Sequence, residues 1–359
     1  MMIFRLVILF LWVMCGSAFA GQISDVPVNS WQRIPSSHLY DVRHTWSPTT
    51  PGTFSGIMTA WSGGFYDSTR HRLCVKGGGH ADYGGQEMYC FNLDTAEAGT
   101  TPAWSKVSEP EAYSALDSTG LNADGLTDND LPKSQHTYGR PGYIPSIDSV
   151  CDTNGSIGYA YVESLDFMTC YSFTTNTWTI KADADPDSSG TASFGVVYPA
   201  TNKYYVQGGS GSGYFGIYTP STDTWQYGAF DNNFSSSNIY MSATIDTKRN
   251  QFVAVGKGNL IVFTLADFVA GSTKLWDYRV TNSTGETGAL TGNYGAPGVA
   301  YDPVLDKIVV WTTGYDGVYL YDTDTNVWTK PTLTPPDDTT GLTAQTNATY
   351  GRFQYSPKY

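Results

Sequence analysis

The chain has 359 residues, 40% of them hydrophobic, and a formal charge of −13. That much apolar material excludes a disordered chain and supports a sizeable core. The acidic balance excludes nucleic acid and anionic membrane surfaces as partners, and disfavours a strongly anionic ligand unless a local basic patch overrides the field.

In chain order, Arg5, the apolar run Leu6 to Met14 and the small-residue stretch Gly16-Ser17-Ala18-Phe19-Ala20 predict an export signal over 1–20. No later run reaches the roughly 20 apolar residues that span a bilayer. A secreted or periplasmic chain without membrane insertion is expected, with 21–359 as one domain, acting as a monomer.

The 38 glycines, 26 tyrosines, 16 phenylalanines and 10 tryptophans, with few helical patterns, suit many short strands joined by turns. Two units recur. The first is an aromatic or apolar residue, a turn and a β run, as in Tyr66 to Leu73, Tyr198 to Tyr205, Ile245 to Phe252 and Tyr301 to Ile308. The second is an apolar strand, a Thr/Asp/Asn turn and a tryptophan, ending at Trp104, Trp178, Trp225, Trp276 and Trp328. Four strands per repeat at roughly 50-residue spacing predict a β-propeller. Trp31 supplies a sixth outer strand, so the expectation is an all-β, six-bladed propeller with four-stranded antiparallel blades. The N-terminal strand would close the ring against an inner strand from 350–359, and the middle strands of that blade are missing, as in a chain truncated at its C-terminus. The repeats place Cys74 beside Cys90 and Cys151 beside Cys170 on neighbouring strands, which predicts those two disulfides in an exported chain.

The Gly78-Gly79, Tyr89 and Trp104 layout resembles a kelch repeat. Ala60 to Gly64, Gly77-Gly78-Gly79-His80-Ala81-Asp82-Tyr83, Glu87-Met88-Tyr89 and His136-Thr137-Tyr138-Gly139 resemble signatures of secreted bacterial kelch-like, galactose-oxidase-like propellers. The resemblance spans roughly residues 28 to 359 and implies the fold rather than a reaction.

In this topology the 76–87, 105–135 and 35–55 connections share one face, and long loops in compact domains are commonly functional. His80 and His136 come from adjacent blades on that face, and histidine titrates nearest neutral pH. With Tyr138 and Arg352 they form a candidate acid–base set. Asp82, Tyr83, Arg140, His44 and Arg43 are candidate substrate contacts. Structural roles compete: Asp82 bound to its own loop, Tyr83 packed beneath it, Glu87 paired to a neighbouring blade, Arg352 an inter-blade strut. A polysaccharide or glycan partner follows, through lyase-like catalysis or plain binding. No cofactor is specified, no metal ligand is assigned, and a copper oxidase site lacks the Tyr-His pair that such enzymes use.

Overall fold

The computed structural model describes residues 23–27, 29–34, 38–47, 50–79, 82–100, 102–110, 131–153, 167–183, 193–208, 214–229, 240–271, 279–291, 295–314, 316–335 and 347–359. The expected export signal lies outside them, as do His80 and Trp276. No helix among the described residues is long and apolar enough to cross a membrane.

The described chain forms five small sheets, almost wholly antiparallel. The first holds β1 (Gly63–Asp67), β2 (Arg72–Lys76), β3 (Tyr89–Asn92) and β4 (Trp104–Lys106); the second β5 (Gly142–Ile144), β6 (Ser149–Thr153), β7 (Phe167–Ser172) and β8 (Thr177–Asp183). The third holds β9 (Phe194–Tyr198), β10 (Lys203–Gln207), β11 (Tyr214–Thr219) and β12 (Thr224–Ala229); the fourth β13 (Ser242–Asp246), β14 (Gln251–Gly256) and β15 (Asn259–Thr264). The fifth runs β17 (Gly298–Asp302), β18 (Lys307–Trp311), β19 (Val318–Asp322) and β20 (Val327–Thr329), with β16 (Thr284–Gly285) added in parallel outside β20. Each first strand touches the next sheet's first strand, in the order β1, β5, β9, β13, β17. This is a propeller arrangement whose inner strands surround an axis.

The sheets number five, against the six blades expected. At the sixth position, Tyr350–Arg352 forms a single 3-10 turn lying against both β17 and β1. Tyr350 has φ 49°, a left-handed conformation that a strand cannot contain. Among the described residues the N-terminal segment likewise forms no outer strand. It makes one parallel bridge, Ser30 to Thr334, and sets Trp31 5.8 Å from Trp311.

One local device explains the repeated sequence units. A tyrosine hydroxyl donates to the Asp or Asn side chain five residues later, at distances from 2.6 to 3.2 Å, in Tyr143–Asp148, Tyr171–Asn176, Tyr218–Asp223, Tyr301–Asp306 and Tyr321–Asn326. All five acceptors have φ between 44° and 57°. Asp and Asn tolerate this region better than other side chains, so the turn residue and its tyrosine clamp specify one another. Trp178, Trp225 and Trp328 then stand directly opposite Tyr171, Tyr218 and Tyr321, with ring centroids 5.3, 5.3 and 4.8 Å apart. Such pairs contribute about 0.5–1.5 kcal/mol beyond the area they bury.

Between sheets, arginines at the first turn act as struts. Arg70 joins Asp67 of its own sheet to Asp148 of the next, and Arg249 joins Asp246 to Asp306 and Asp324. Cys74–Cys90 and Cys151–Cys170 are disulfides between directly paired residues of neighbouring strands, with Cα atoms 4.0 and 4.1 Å apart. Each closes a loop of 16 or 19 residues, for which chain entropy predicts about 3 kcal/mol of stability. Urea unfolding with and without reductant checks this; unchanged midpoints would contradict it.

Candidate functional site

The glycine loop after β2 packs against the segment leading into β5. Gly77, Gly78 and Gly79 have φ of 155°, 151° and 83°, and a Cβ on Gly79 would sit 2.5 Å from the His136 nitrogen. The Gly79 N–H donates to the Tyr83 carbonyl at 2.9 Å and to Ser134 Oγ at 3.2 Å, while the Asp82 N–H returns to the Gly79 carbonyl at 2.9 Å. These bonds fold the loop back so that Asp82 meets the neighbouring blade.

There, His136 Nε2 lies 3.1 Å from Asp82 Oδ2, and the Tyr138 hydroxyl lies 3.5 Å from His136 Nδ1. His136 and Tyr138 are 1% and 2% exposed, whereas the Asp82 side chain is 42% exposed. Trp61 covers His136, with centroids 4.8 Å apart. The three groups form a chain from a buried phenol through an imidazole to a carboxylate open to solvent. The His136–Asp82 contact lies within the 2.6–3.2 Å over which acid–base partners act, and the Tyr138 hydroxyl lies just beyond it.

Thr137-Tyr138-Gly139-Arg140 recurs as Thr349-Tyr350-Gly351-Arg352, and the two copies fold alike. Both tyrosines are left-handed, at φ 48° and 49°. In both, the arginine turns back onto the carbonyls three and four residues earlier: Arg140 onto Thr137 and His136, Arg352 onto Thr349 and Ala348. The two tyrosine rings meet at 5.7 Å. Tyr138 also packs on Tyr240, and Trp61 joins the same buried cluster. Trp61 and Tyr240 have positive φ as well, 49° and 66°. Bulky residues held in this region cost about 1–3 kcal/mol each and concentrate at functional sites. The Tyr350 hydroxyl and Thr349 Oγ1 are buried here without hydrogen-bond partners.

The structure thus brings His136, Tyr138 and Asp82 together, and gives the other candidates different surroundings. Arg140 is 0% exposed and lies 3.2 Å from Asp152, which also pairs with Lys76 at 3.4 Å. It holds the backbone at 136–137 and does not face a ligand. The Arg352 guanidinium is held by three carbonyls, the third from Met58, and burial lowers its pKa to about 10. It is a strut between the 348–352 turn and the helical turn Gly56–Thr59.

Tyr83 is also fully buried, in a carboxylate cage. The Tyr83 and Tyr89 hydroxyls both donate to Glu87 Oε1. Trp46 Nε1 donates to Tyr83 at 3.0 Å, and the His44 N–H to Tyr89 at 2.7 Å. His44 Nδ1 lies 3.1 Å from Lys106 Nζ, and burial, then Lys106, lower its pKa. Arg43 stacks 3.5 Å over the Tyr40 ring. His44 and Arg43 line an open groove of about 610 Å³ with Tyr40, Trp46 and Phe54, apart from the His136 relay. Sequence reasoning paired Glu87 to a neighbouring blade and missed it as the centre of this cage: its own partners lie two and four residues away, but the groups that hold those tyrosines, His44 and Trp46, lie 45 and 37 residues from them.

Burial holds the Glu87 pKa above the ordinary carboxylate value, against the two tyrosine donors. A raised folded pKa means the native state binds the extra proton, so stability falls as pH rises from about 4.3 through the folded pKa. Glu87→Gln keeps the acceptor and removes the charge. It is expected to stabilise the protein at pH 7 relative to the parent, with the gain vanishing near pH 4. Thermal melts at both pH values check this, and an equal effect at each would contradict it.

Among the described residues no group of three or more His, Cys, Asp or Glu is placed to hold a metal ion. No protein-family model matches the chain, and no curated protein sequence matches it. The site itself must carry the argument for function.

Proposed function

We propose that the chain is an exported carbohydrate-active propeller protein that works on a polysaccharide at the mouth formed by the 76–87 loop and the segment entering β5. The observation that carries this reading is the difference between the two Thr-Tyr-Gly-Arg copies. Their shared turn needs the tyrosine, glycine and arginine, and Ala348 occupies the position equivalent to His136. Architecture therefore does not require the histidine, yet the copy carrying it is the one hydrogen-bonded to a solvent-facing carboxylate. Asp82 is the member that meets substrate, and His136, with Tyr138 behind it, holds the carboxylate in place through the 3.1 Å contact. In lyase-like chemistry Asp82 would take the proton next to a uronate carboxyl group, the freed electron pair would form the ring double bond as the bond to the leaving oxygen breaks, and water would supply that oxygen's proton. The resemblance of the glycine-loop and His136 motifs to secreted kelch-like propellers supports the exported propeller in this reading. So do the two disulfides, which suit an oxidising compartment.

His136→Ala is the informative variant, because Ala348 shows that the turn accepts alanine. Against a panel of neutral and uronate polysaccharides, followed by unsaturated-uronate absorbance and by reducing ends, it is expected to lose about 100-fold or more in kcat. The fold should be retained. If the parent binds a glycan and yields product in neither assay, catalysis is excluded. A second reading, glycan binding without turnover, is favoured by the open groove beside Tyr40, Trp46 and Phe54, whose rings suit sugar stacking.

A further inference from the structure

Lys257 and Gly258 form the turn between β14 and β15, the second and third strands of their sheet. The glycine loop joins the same pair of strands, β2 and β3, in the first sheet. Both connections therefore lie on one face of the propeller, on sheets that stand across the ring from each other. Lys257 Nζ sits 4.5 Å over the Tyr240 ring. Tyr240 packs on Tyr138, and Trp61 belongs to the same cluster; Tyr240 and Trp61 are only partly buried. The axis is thus capped on this face by aromatic rings, with the Asp82 carboxylate on the side of the first sheet and the Lys257 ammonium on the side of the fourth.

Nothing in the turn asks for a lysine. Gly256 pairs with Asn259 across a two-residue hairpin, with φ of 45° at Lys257 and 80° at Gly258. Hairpins whose two central residues are both left-handed favour Asn or Asp ahead of Gly. Elsewhere in the chain Asn176, Asp223, Asn250 and Asn326 hold left-handed turn positions, at φ between 50° and 57°. A long side chain kept in this region against its preference is the kind of strain that gathers at functional sites. Among the described residues no Asp or Glu pairs with Lys257, in a chain of 33 acidic and 20 basic residues. An ammonium held over a ring, and not on one of those acids, keeps its donors for a ligand anion.

Rings and charge together select a ligand class. Partly exposed aromatic faces suit the apolar faces of sugars, and the ammonium calls for an acidic group on the same chain. Arg140 and Arg352 leave that role open, since both turn onto backbone carbonyls. We propose that Lys257 binds the carboxylate of a uronate unit lying across the aromatic cap. The Tyr138 and Tyr240 rings separate Lys257 from the His136–Asp82 pair, so this unit is a neighbour along the glycan of the one at Asp82. Lys257 is then a specificity-determining contact that acts on binding and not on the chemical step. The assignment rests on the reading of this face as a polysaccharide site.

The probes are trimers of galacturonate, glucuronate and mannuronate, each beside its carboxyl-reduced form, titrated into the full chain by calorimetry. At least one acidic trimer should bind about 10-fold or more tighter than its reduced form, as for a hydrogen bond to a charged group. Lys257→Asn should remove that preference and leave the affinity for the reduced form unchanged. It should also melt no lower than the parent, because asparagine suits the turn. Lys257→Arg should keep the preference. Where an acidic trimer is cleaved, Lys257→Asn should raise KM and leave kcat, the reverse of His136→Ala. Equal binding of acidic and reduced trimers by the parent overturns the role of Lys257 and leaves the polysaccharide reading standing; binding of neither overturns both. A preference that survives Lys257→Asn, or affinities for both forms that fall together with the melting temperature, overturns the assignment to this residue.

Discussion

Asp152→Ala is expected to destabilise the protein by about 3–5 kcal/mol, the range for removing one partner of a buried ion pair. Asp152 is 1% exposed and is the anion between Lys76 and Arg140, themselves 3% and 0% exposed. Removing it leaves two buried cations facing each other. Burial already lowers the Lys76 pKa, and Arg140 adds to that shift. The triad carries one cation more than it has anions, so the sign reverses for the other partner. Lys76→Met removes the surplus charge and keeps much of the packing against the Trp178 ring, 4.8 Å away. Its stability should lie within about 1 kcal/mol of the parent, since well-packed apolar replacements of buried ions are often neutral. Urea unfolding of the two variants checks the asymmetry. Equal losses would mean that Lys76 is a needed partner rather than a surplus charge.

Gly79→Ala is the second large expected effect, about 2–5 kcal/mol. The residue has φ 83°, and its added Cβ would meet the His136 nitrogen at 2.5 Å and Gln135 main-chain atoms at 2.7 Å. The left-handed backbone accounts for about 1–2 kcal/mol and the overpacking for about 1–3 kcal/mol. The obstacle is backbone, so relief requires the glycine loop and the 134–136 segment to separate. That movement breaks the Asp82–His136 bond and should lower activity more than stability alone would. Gly99 is the control: φ 66°, with nothing within 4 Å of its would-be Cβ. Gly99→Ala should lose only the backbone component and leave activity intact. Comparable activity losses in both would detach the loop contact from function.

The repeats were legible because one local rule writes them. Tyr171 to Trp178, Tyr218 to Trp225 and Tyr321 to Trp328 each hold a tyrosine clamp, a left-handed Asx turn and an opposing tryptophan within eight residues. Both disulfides followed from strand adjacency for the same reason. The blade count did not. Trp31 resembles the repeated tryptophans, yet among the described residues it lies in no strand and has the Ser30–Thr334 bridge beside it. Tyr350 to Tyr355 resembles an inner strand, yet its tyrosine is left-handed. At the site, loop order brought the glycine loop to the His136 segment with His80 as the expected partner; that Asp82 meets His136 was not read. The burial of His136 was not legible, nor was the role of Arg140, because its partner Asp152 belongs to a strand of the same blade.

The tyrosine clamps carry a consequence for how the chain acquires its structure. Each clamp joins positions five apart, and the two cystines join positions 16 and 19 apart. By contrast, Asn347 meets the carbonyl of Thr59 across 288 residues. Register within a blade is thus encoded by near neighbours, and the contacts of very long range are those that close the circle. Local contacts form early and distant ones late. Both cystines can therefore oxidise correctly on separate blades, while the circle is still open. Pulsed thiol labelling during refolding should find native cystines before amides around residues 348–352 gain protection from exchange.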